Sequence, residues 1–291
     1  MPFNPKRLLA VAAAWLGLVV VAQAAPPMWV ASDADTRIWL FGSVHILPKD
    51  IEWRTPAFDE ALAKSDLIYF EASLDAANQQ TLAAETYRLG LVDSGTRLLD
   101  GLDPGQKDVV TRAARLAGVP LSGLNIWKPW MAANLLTTSF AARQGYDPMS
   151  GVDMVLQTEV PQSRQRFFET IDEQLHLMAD LPAAKQIDLL VATARDLENS
   201  PGSLNDLVSA WSQGDTDSLE ANFSEGIEAV DASWSEALLH NRNQRWAKDI
   251  SSLMATTPGN IMVVVGAAHL IGNDSLPALL KAGGIEIERV Q

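Results

Sequence analysis

The segment IMVVVGAAHLI at residues 261–271 is an apolar, β-branched run that ends in Gly-x-x-His, a pattern that predicts a buried strand followed by a sharp turn. The segment WLFGSVHIL at residues 39–47 has the same frame near the other end of the chain. His45 and His269 therefore follow two similar apolar runs. A single sheet that contained both strands would bring the two imidazoles together.

The segments around the first histidine follow the order strand, helix, strand. Residues 28–30 and 37–41 predict a hairpin, residues 56–64 a helix, and residues 67–70 a strand that ends at Glu71. This order is typical of a βαβ unit. Three further elements are predicted: a strand at 166–168 before Glu169, a helix at 275–281 and a last strand at 285–290.

Two long stretches with helical spacing, at about 76–160 and 182–255, separate these strands. We therefore expect a mixed α/β (α+β) fold whose central sheet is built from both chain ends, with large helical insertions. Ligands of open α/β sheets collect beyond the carboxyl ends of the strands. Four side chains follow such predicted ends: His45, Glu71, Glu169 and His269.

The N-terminus has the three-part pattern of a secretory signal peptide, with Lys6 and Arg7, an apolar run at 8–22 and Ala-Gln-Ala at 22–24. We expect cleavage after Ala24, a mature domain at 25–291, and a periplasmic or secreted location. The apolar run has 15 residues, fewer than the roughly 20 that a spanning helix needs. No stable transmembrane anchor is expected.

Composition narrows the possible partners and ligands. Removal of residues 1–24 takes away Lys6 and Arg7, so the formal net charge changes from −14 to −16. An acidic surface repels phosphate backbones, and nucleic acid is therefore not an expected partner. The chain contains no cysteine, so a metal ion would have to bind to His, Asp and Glu.

Two imidazoles and one or two carboxylates make a plausible site for a divalent ion such as manganese, cobalt or zinc. The predicted ligands are His45, His269, Glu71 and Glu169. A bound metal ion would lower the pKa of a water molecule, and a carboxylate such as Glu71 would take its proton. The alternative is that both histidines only hydrogen-bond to the backbone and fix loops.

Two other polar residues have two interpretations each. Arg242 could hold a substrate carboxylate or pair with Glu71 or Glu169, although its pattern alone favours a surface arginine. Asp153 could offer a carboxylate or simply begin a helix. The remaining histidines, His176 and His240, lie in helical patterns and are expected to be packing or surface residues.

The chain resembles the TraB/GumN family, which is related to the Tiki metalloproteases and more distantly to the erythromycin esterase and ChaN-like proteins. The resemblance covers about residues 28–291 and rests on these segments: LFGSVHILP (40–48), FE (70–71), KPW (128–130), GVD (151–153), ET (169–170), EQL (173–175), RN (242–243), WA (246–247) and VGAAHL (265–270). The second Gly-x-x-His segment has alanine where the family usually has a further glycine, and Phe168 replaces a more usual leucine.

This resemblance implies a mixed α/β core with two Gly-x-x-His motifs and a glutamate at the active centre. It also implies metal-dependent hydrolysis, with peptide bonds cut in the Tiki branch. Carried onto this chain, the centre is His45, Glu71 and His269, supported by Glu169 and Arg242.

Three functions are compatible with these features. The first is an exported metal-dependent hydrolase that acts on a peptide or small-molecule substrate, with catalytic residues His45, Glu71, His269 and Arg242. The second is a non-catalytic regulatory protein of the same fold that binds a peptide, a metal ion or haem. The third is an exported scaffold whose histidines only fix loops.

Overall fold

A six-stranded sheet with the order β6-β4-β7-β2-β1-β8 organises the computed structural model, which describes residues 24–228 and 235–291. β3 and β5 form a separate two-stranded sheet. The strands are β1 (Met28–Ser32), β2 (Thr36–Ser43), β3 (Leu47–Pro48), β4 (Leu67–Phe70), β5 (Tyr146–Asp147), β6 (Gln165–Phe167), β7 (Gly259–Gly266) and β8 (Ile287–Arg289).

The two central strands come from opposite ends of the chain. β2 pairs in parallel with β7, with Thr36 opposite Gly259 and Ser43 opposite Gly266. The carboxyl ends of both strands therefore lie at the same edge of the sheet, and both Gly-x-x-His turns start there. The predicted fold class is confirmed, because one mixed sheet contains strands from both termini.

Helices fill the segments between the strands and cover the sheet. α1 begins at the proline that follows the N-cap Thr55, whose side chain accepts a hydrogen bond from the Phe58 N–H. The helices are α1 (Pro56–Lys64), α2 (Ala76–Gly90), α3 (Pro104–Ala117), α4 (Leu121–Leu124), α5 (Pro129–Arg143), α6 (Val152–Glu159), α7 (Ile171–Ala179), α8 (Ala183–Asn199), α9 (Ser203–Gln213), α10 (Thr216–Glu228), α11 (Asn241–Thr256) and α12 (Leu276–Ala282).

Both faces of the sheet are buried, which explains why β7 is apolar at successive positions. Met262 and Val264 pack into a core cluster with Phe41, whereas Val263 packs on the other face against Trp246 of α11. α11 therefore lies against the sheet, close to the strand ends that carry the histidines.

The structure differs from the sequence prediction at short elements. β5 lies inside the first stretch predicted to be helical, because a two-residue strand is too short to show an alternating pattern. β6 begins one residue earlier than predicted, and β8 is shorter than the predicted 285–290. The predicted signal peptide falls outside the described residues except for Ala24. Among the helices that the structure describes, none is both long enough and apolar enough to cross a membrane.

Candidate functional site

The side chains that follow β2, β4 and β7 meet above Gly266. A methyl group added at Gly266 would lie 3.3 Å from Glu71 Oε1, 3.7 Å from His45 Nε2 and 3.7 Å from His269 Cδ2. The Gly266 N–H donates to Glu71 Oε1 over 2.7 Å. The three strand ends therefore each contribute one polar side chain to a cluster around Gly266, namely His45 after β2, Glu71 after β4 and His269 after β7.

His45 is the accessible member of this cluster, and Asp153 orients it. His45 Nδ1 lies 2.7 Å from Asp153 Oδ2, and the other oxygen of Asp153 accepts from the Ser43 hydroxyl over 3.1 Å. The Asp153 side chain is buried, whereas the His45 side chain is 61% exposed. The negative charge of Asp153 raises the pKa of His45 above its ordinary value. Since Nδ1 is engaged, Nε2 is the ring nitrogen left to face Glu71.

Gly151 allows this pairing by a close approach of two backbones. The Val152 N–H donates to the Val44 carbonyl over 3.0 Å, which places the start of α6 beside the first histidine motif. A Cβ at Gly151 would lie only 2.0 Å from the carbonyl oxygen of His45. Glycine is therefore needed here because a side chain would overlap the backbone of the motif.

Arg242 lies beneath the cluster and uses all five of its N–H groups. Nε is 3.1 Å from both oxygens of Glu169, and Nη2 donates to Glu71 Oε2 over 2.6 Å and to Glu169 Oε2 over 2.9 Å. Nη1 donates to the Leu238 carbonyl over 3.0 Å and to His269 Nε2 over 3.1 Å. Arg242 is buried, so the interpretation as a surface arginine is wrong, and its pairing includes both glutamates.

Asn243 fixes the protonation state of His269. The Asn243 side-chain amide donates from Nδ2 to the Asp274 carbonyl over 2.8 Å, which leaves its Oδ1 2.6 Å from His269 Nδ1. Because Oδ1 only accepts, Nδ1 must carry the hydrogen, and Nε2 must be the acceptor for Arg242. Burial lowers the pKa of His269 to about 3, so the ring is neutral. The role of Asn243 is not predicted from the sequence, in which this residue is marked only by its place beside Arg242 in the segment RN (242–243).

Glu71 is ionised in spite of its burial. Burial raises the pKa of the carboxyl, but His269, Arg242 and His45 lower it, and the final pKa is about 2. Near neutral pH the pKa of Glu71 is lowered by Arg242 and by His45, whose own pKa is raised, because His269 is neutral above about pH 3. Gln174 also donates to Glu71 Oε2 over 3.2 Å. A fixed carboxylate therefore lies next to the accessible imidazole of His45.

Glu169 has both of its oxygens engaged by arginines. In addition to the contacts with Arg242, Oε1 accepts from Arg245 Nη2 over 2.9 Å. The Glu169 side chain is 2% exposed and the Arg245 side chain 54% exposed. Glu169 therefore belongs to a buried ion-pair network with Arg242 and Arg245.

The four predicted metal ligands do not fit a metal ion in this arrangement. Over residues 24–228 and 235–291, no three His, Asp or Glu side chains form a group that could hold one. Arg242 already uses atoms of three of the predicted ligands. It donates to Nε2 of His269, to Oε2 of Glu71 and to Oε2 of Glu169.

The other two histidines lie outside the cluster. His176 lies on α7, and its Nδ1 is 2.9 Å from Asp180 Oδ1. His240 ends the π-helical turn at residues 236–240, and its Nε2 is 2.8 Å from Gln244 Nε2 in the first turn of α11. Both side chains are about one third exposed, at 34% and 35%. His176 therefore provides a matched histidine for control experiments.

Comparisons with known proteins give one family and two similar relatives. The model of the TraB/PrgY/gumN family matches residues 27–289. Uncharacterized protein YbaP of Escherichia coli (strain K12) is 23% identical over 262 residues, which cover 88% of this chain and 92% of that protein. The YbaP protein of Shigella flexneri matches with the same identity and coverage. No solved structure gives a significant match.

Proposed function

Because the chain belongs to the TraB/PrgY/gumN family, we propose that it is a hydrolase that cuts peptide bonds, with His45 and Glu71 as the reacting side chains above Gly266. The observation that carries this proposal is the meeting of an exposed imidazole and a buried carboxylate at the ends of β2 and β4, the two strands on either side of β7. The relation of the TraB/GumN family to the Tiki metalloproteases, the branch in which peptide bonds are cut, supports the choice of a peptide bond.

The geometry supports a division of proton transfers between the two side chains. Glu71 Oε1 accepts one hydrogen bond from Gly266 and, as a carboxylate oxygen, has a second lone pair for a water molecule. His45 is held by Asp153 through Nδ1, so Nε2 is the ring nitrogen left for proton transfer. An imidazole oriented by a carboxylate is an arrangement suited to general acid–base catalysis.

In the proposed reaction, Glu71 takes a proton from water as the water oxygen bonds to the peptide carbonyl carbon. The protonated imidazole of His45 gives its Nε2 proton to the leaving nitrogen as the C–N bond breaks. Transfer of the proton from Glu71 to His45 then restores both groups. These steps use only side chains of the chain and do not require the manganese, cobalt or zinc ion predicted from the sequence.

We expect His45→Ala to lower the rate of peptide cleavage by about 10² to 10⁴-fold, the contribution typical of a positioned acid or base. The experiment incubates purified protein with a peptide library, in separate samples with and without added manganese, cobalt or zinc, and identifies the products by mass spectrometry. His176→Ala is the matched control and should cleave as the wild type does, because His176 lies outside the cluster.

Wild-type cleavage no faster than that of His45→Ala in every sample would contradict the proposal. Stoichiometric peptide binding without any product would instead support the non-catalytic regulatory protein. A normal melting temperature for His45→Ala would show that a lost rate comes from the site and not from unfolding.

We also propose that the protein is exported, on the basis of the signal-peptide pattern at residues 1–24. The full-length chain, expressed in a bacterial host with a C-terminal epitope, should be recovered from the periplasmic or culture fraction with Ala25 as its first residue. N-terminal sequencing checks this expectation. A chain that stays in the cytoplasmic fraction with Met1 intact would contradict it.

A further inference from the structure

We propose that the guanidinium of Arg242 is the resident cation of this site and engages atoms that a divalent metal ion would need as ligands, so that the centre assembles without a metal ion. Arg242 is then a positioning residue, because its N–H groups are all used within the protein. The inference deepens the proposed function and rests on the same site.

The first support is the fit of the guanidinium to its surroundings. Its planar edge meets the two buried carboxylates of Glu71 and Glu169, the His269 ring and a backbone carbonyl. The face of the guanidinium lies over the Trp246 ring, 4.5 Å from its centroid. Every N–H group of the guanidinium therefore has an acceptor, and one of its two faces is covered by an aromatic ring.

The second support is the charge balance. Glu71 and Glu169 carry two negative charges, and Arg242 and Arg245 supply two positive charges through contacts of 2.6–2.9 Å. A divalent ion bound to Glu71 would add two positive charges beside Arg242 in a site of low polarity, where repulsion between like charges is strong. The carboxylates are therefore already neutralised by the chain itself.

The third support is the state of His269. In His45 and in His269, Nδ1 is hydrogen-bonded to a side-chain oxygen, as is common in metal-binding histidines. The contact of Nδ1 therefore does not distinguish a site that binds a metal ion from one that does not. The lone pair on Nε2 does distinguish them, because in His269 it accepts from Arg242 Nη1. Metal binding at His269 would have to break this contact and leave a buried N–H of Arg242 without an acceptor, which is costly.

The experiment measures metal binding directly, on untagged mature protein that has been treated with a chelator and dialysed. Elemental analysis by mass spectrometry gives the metal content before treatment, and melting temperatures are recorded with added Mn²⁺, Co²⁺ and Zn²⁺. Because a ligand that binds the native state raises its stability in proportion to RT ln(1 + [L]/Kd), a specific site would appear as a concentration-dependent shift.

For the wild type we expect substoichiometric metal after purification and no shift in melting temperature beyond that of the His45→Ala/His269→Ala double variant. The double variant corrects for weak binding of cations to the acidic surface. In Arg242→Met the carboxylates and the His269 lone pair lose their cation, so the added ions should raise its melting temperature. Removal of His269 from that variant should reduce the shift.

One metal ion per wild-type chain, lost in the double variant, would overturn the inference, as would a fall in wild-type melting temperature on chelation. These wild-type measurements hold even when Arg242→Met does not fold. Peptide cleavage in chelator separates the two proposals. A metal-free but inactive protein contradicts only the proposed function. Cleavage that requires a bound metal ion contradicts the inference and the metal-free reaction steps, but leaves peptide cleavage by this protein in place.

Discussion

The Arg242→Met variant should have a free energy of unfolding about 3–5 kcal/mol lower than that of the wild type, the range seen when one partner of a buried ion pair is removed. The physical reason is that Glu71 and Glu169 would stay buried as carboxylates with their main cation removed. Methionine replaces the aliphatic part of the arginine side chain, so the packing of that part is kept. Chemical denaturation followed by circular dichroism gives the two free energies.

Arg245→Met is the matched control, since Arg245 pairs with the same Glu169 but its side chain is 54% exposed. Exposed ion pairs contribute at most about 1 kcal/mol to the free energy of unfolding. The free energy of unfolding of this variant should therefore be close to that of the wild type. A further variant, Arg242→Met with Glu71→Gln and Glu169→Gln, should regain part of the lost stability because no buried charge is left unpaired. Equal stability of Arg242→Met and Arg245→Met would contradict the buried network.

Gly151→Ala should lower the free energy of unfolding by about 3 kcal/mol, near the upper end for overpacking of a fitted contact. The φ and ψ angles of Gly151 are −60° and 145°, which alanine adopts without strain. The cost therefore comes only from the new Cβ, which would lie 2.0 Å from the His45 carbonyl oxygen. Since the contact involves backbone on both sides, α6 must move, and Asp153 must move with it.

The control for this substitution is Gly123→Ala. Apart from the adjacent residues and the backbone of its own helix, no atom lies within 4 Å of the new Cβ at Gly123. Alanine in place of glycine commonly stabilises a compatible position by about 0.4–1 kcal/mol, so the two variants should change stability in opposite directions. Thermal unfolding measures both. The peptide assay should show a second difference, with cleavage reduced in Gly151→Ala alone because His45 has lost its orienting carboxylate.

The local elements of this fold follow from the sequence because their signals are local. The bounds of α1 and β4 agree with the prediction at both ends, since Thr55 and Pro56 mark the helix start and Glu71 follows a short apolar run. The β-branched residues of β7 predict its strand conformation. The prediction that both histidine motifs lie at one sheet edge also holds, because two buried strands of similar pattern pair in parallel.

The partners within the site were decided by tertiary structure. Asp153 meets His45 across 108 residues, and Arg242 meets Glu71 across 171 residues. No local pattern separates Asp153 from a helix-start aspartate, or Arg242 from a surface arginine. Only the packing of α6 and α11 against the sheet determines which of their side chains face the strand ends. The positions of the motifs therefore follow from local sequence patterns. The role of Arg242, which holds both carboxylates and the His269 ring, follows only from the packing of distant segments, because buried carboxylates are costly unless a cation is placed beside them.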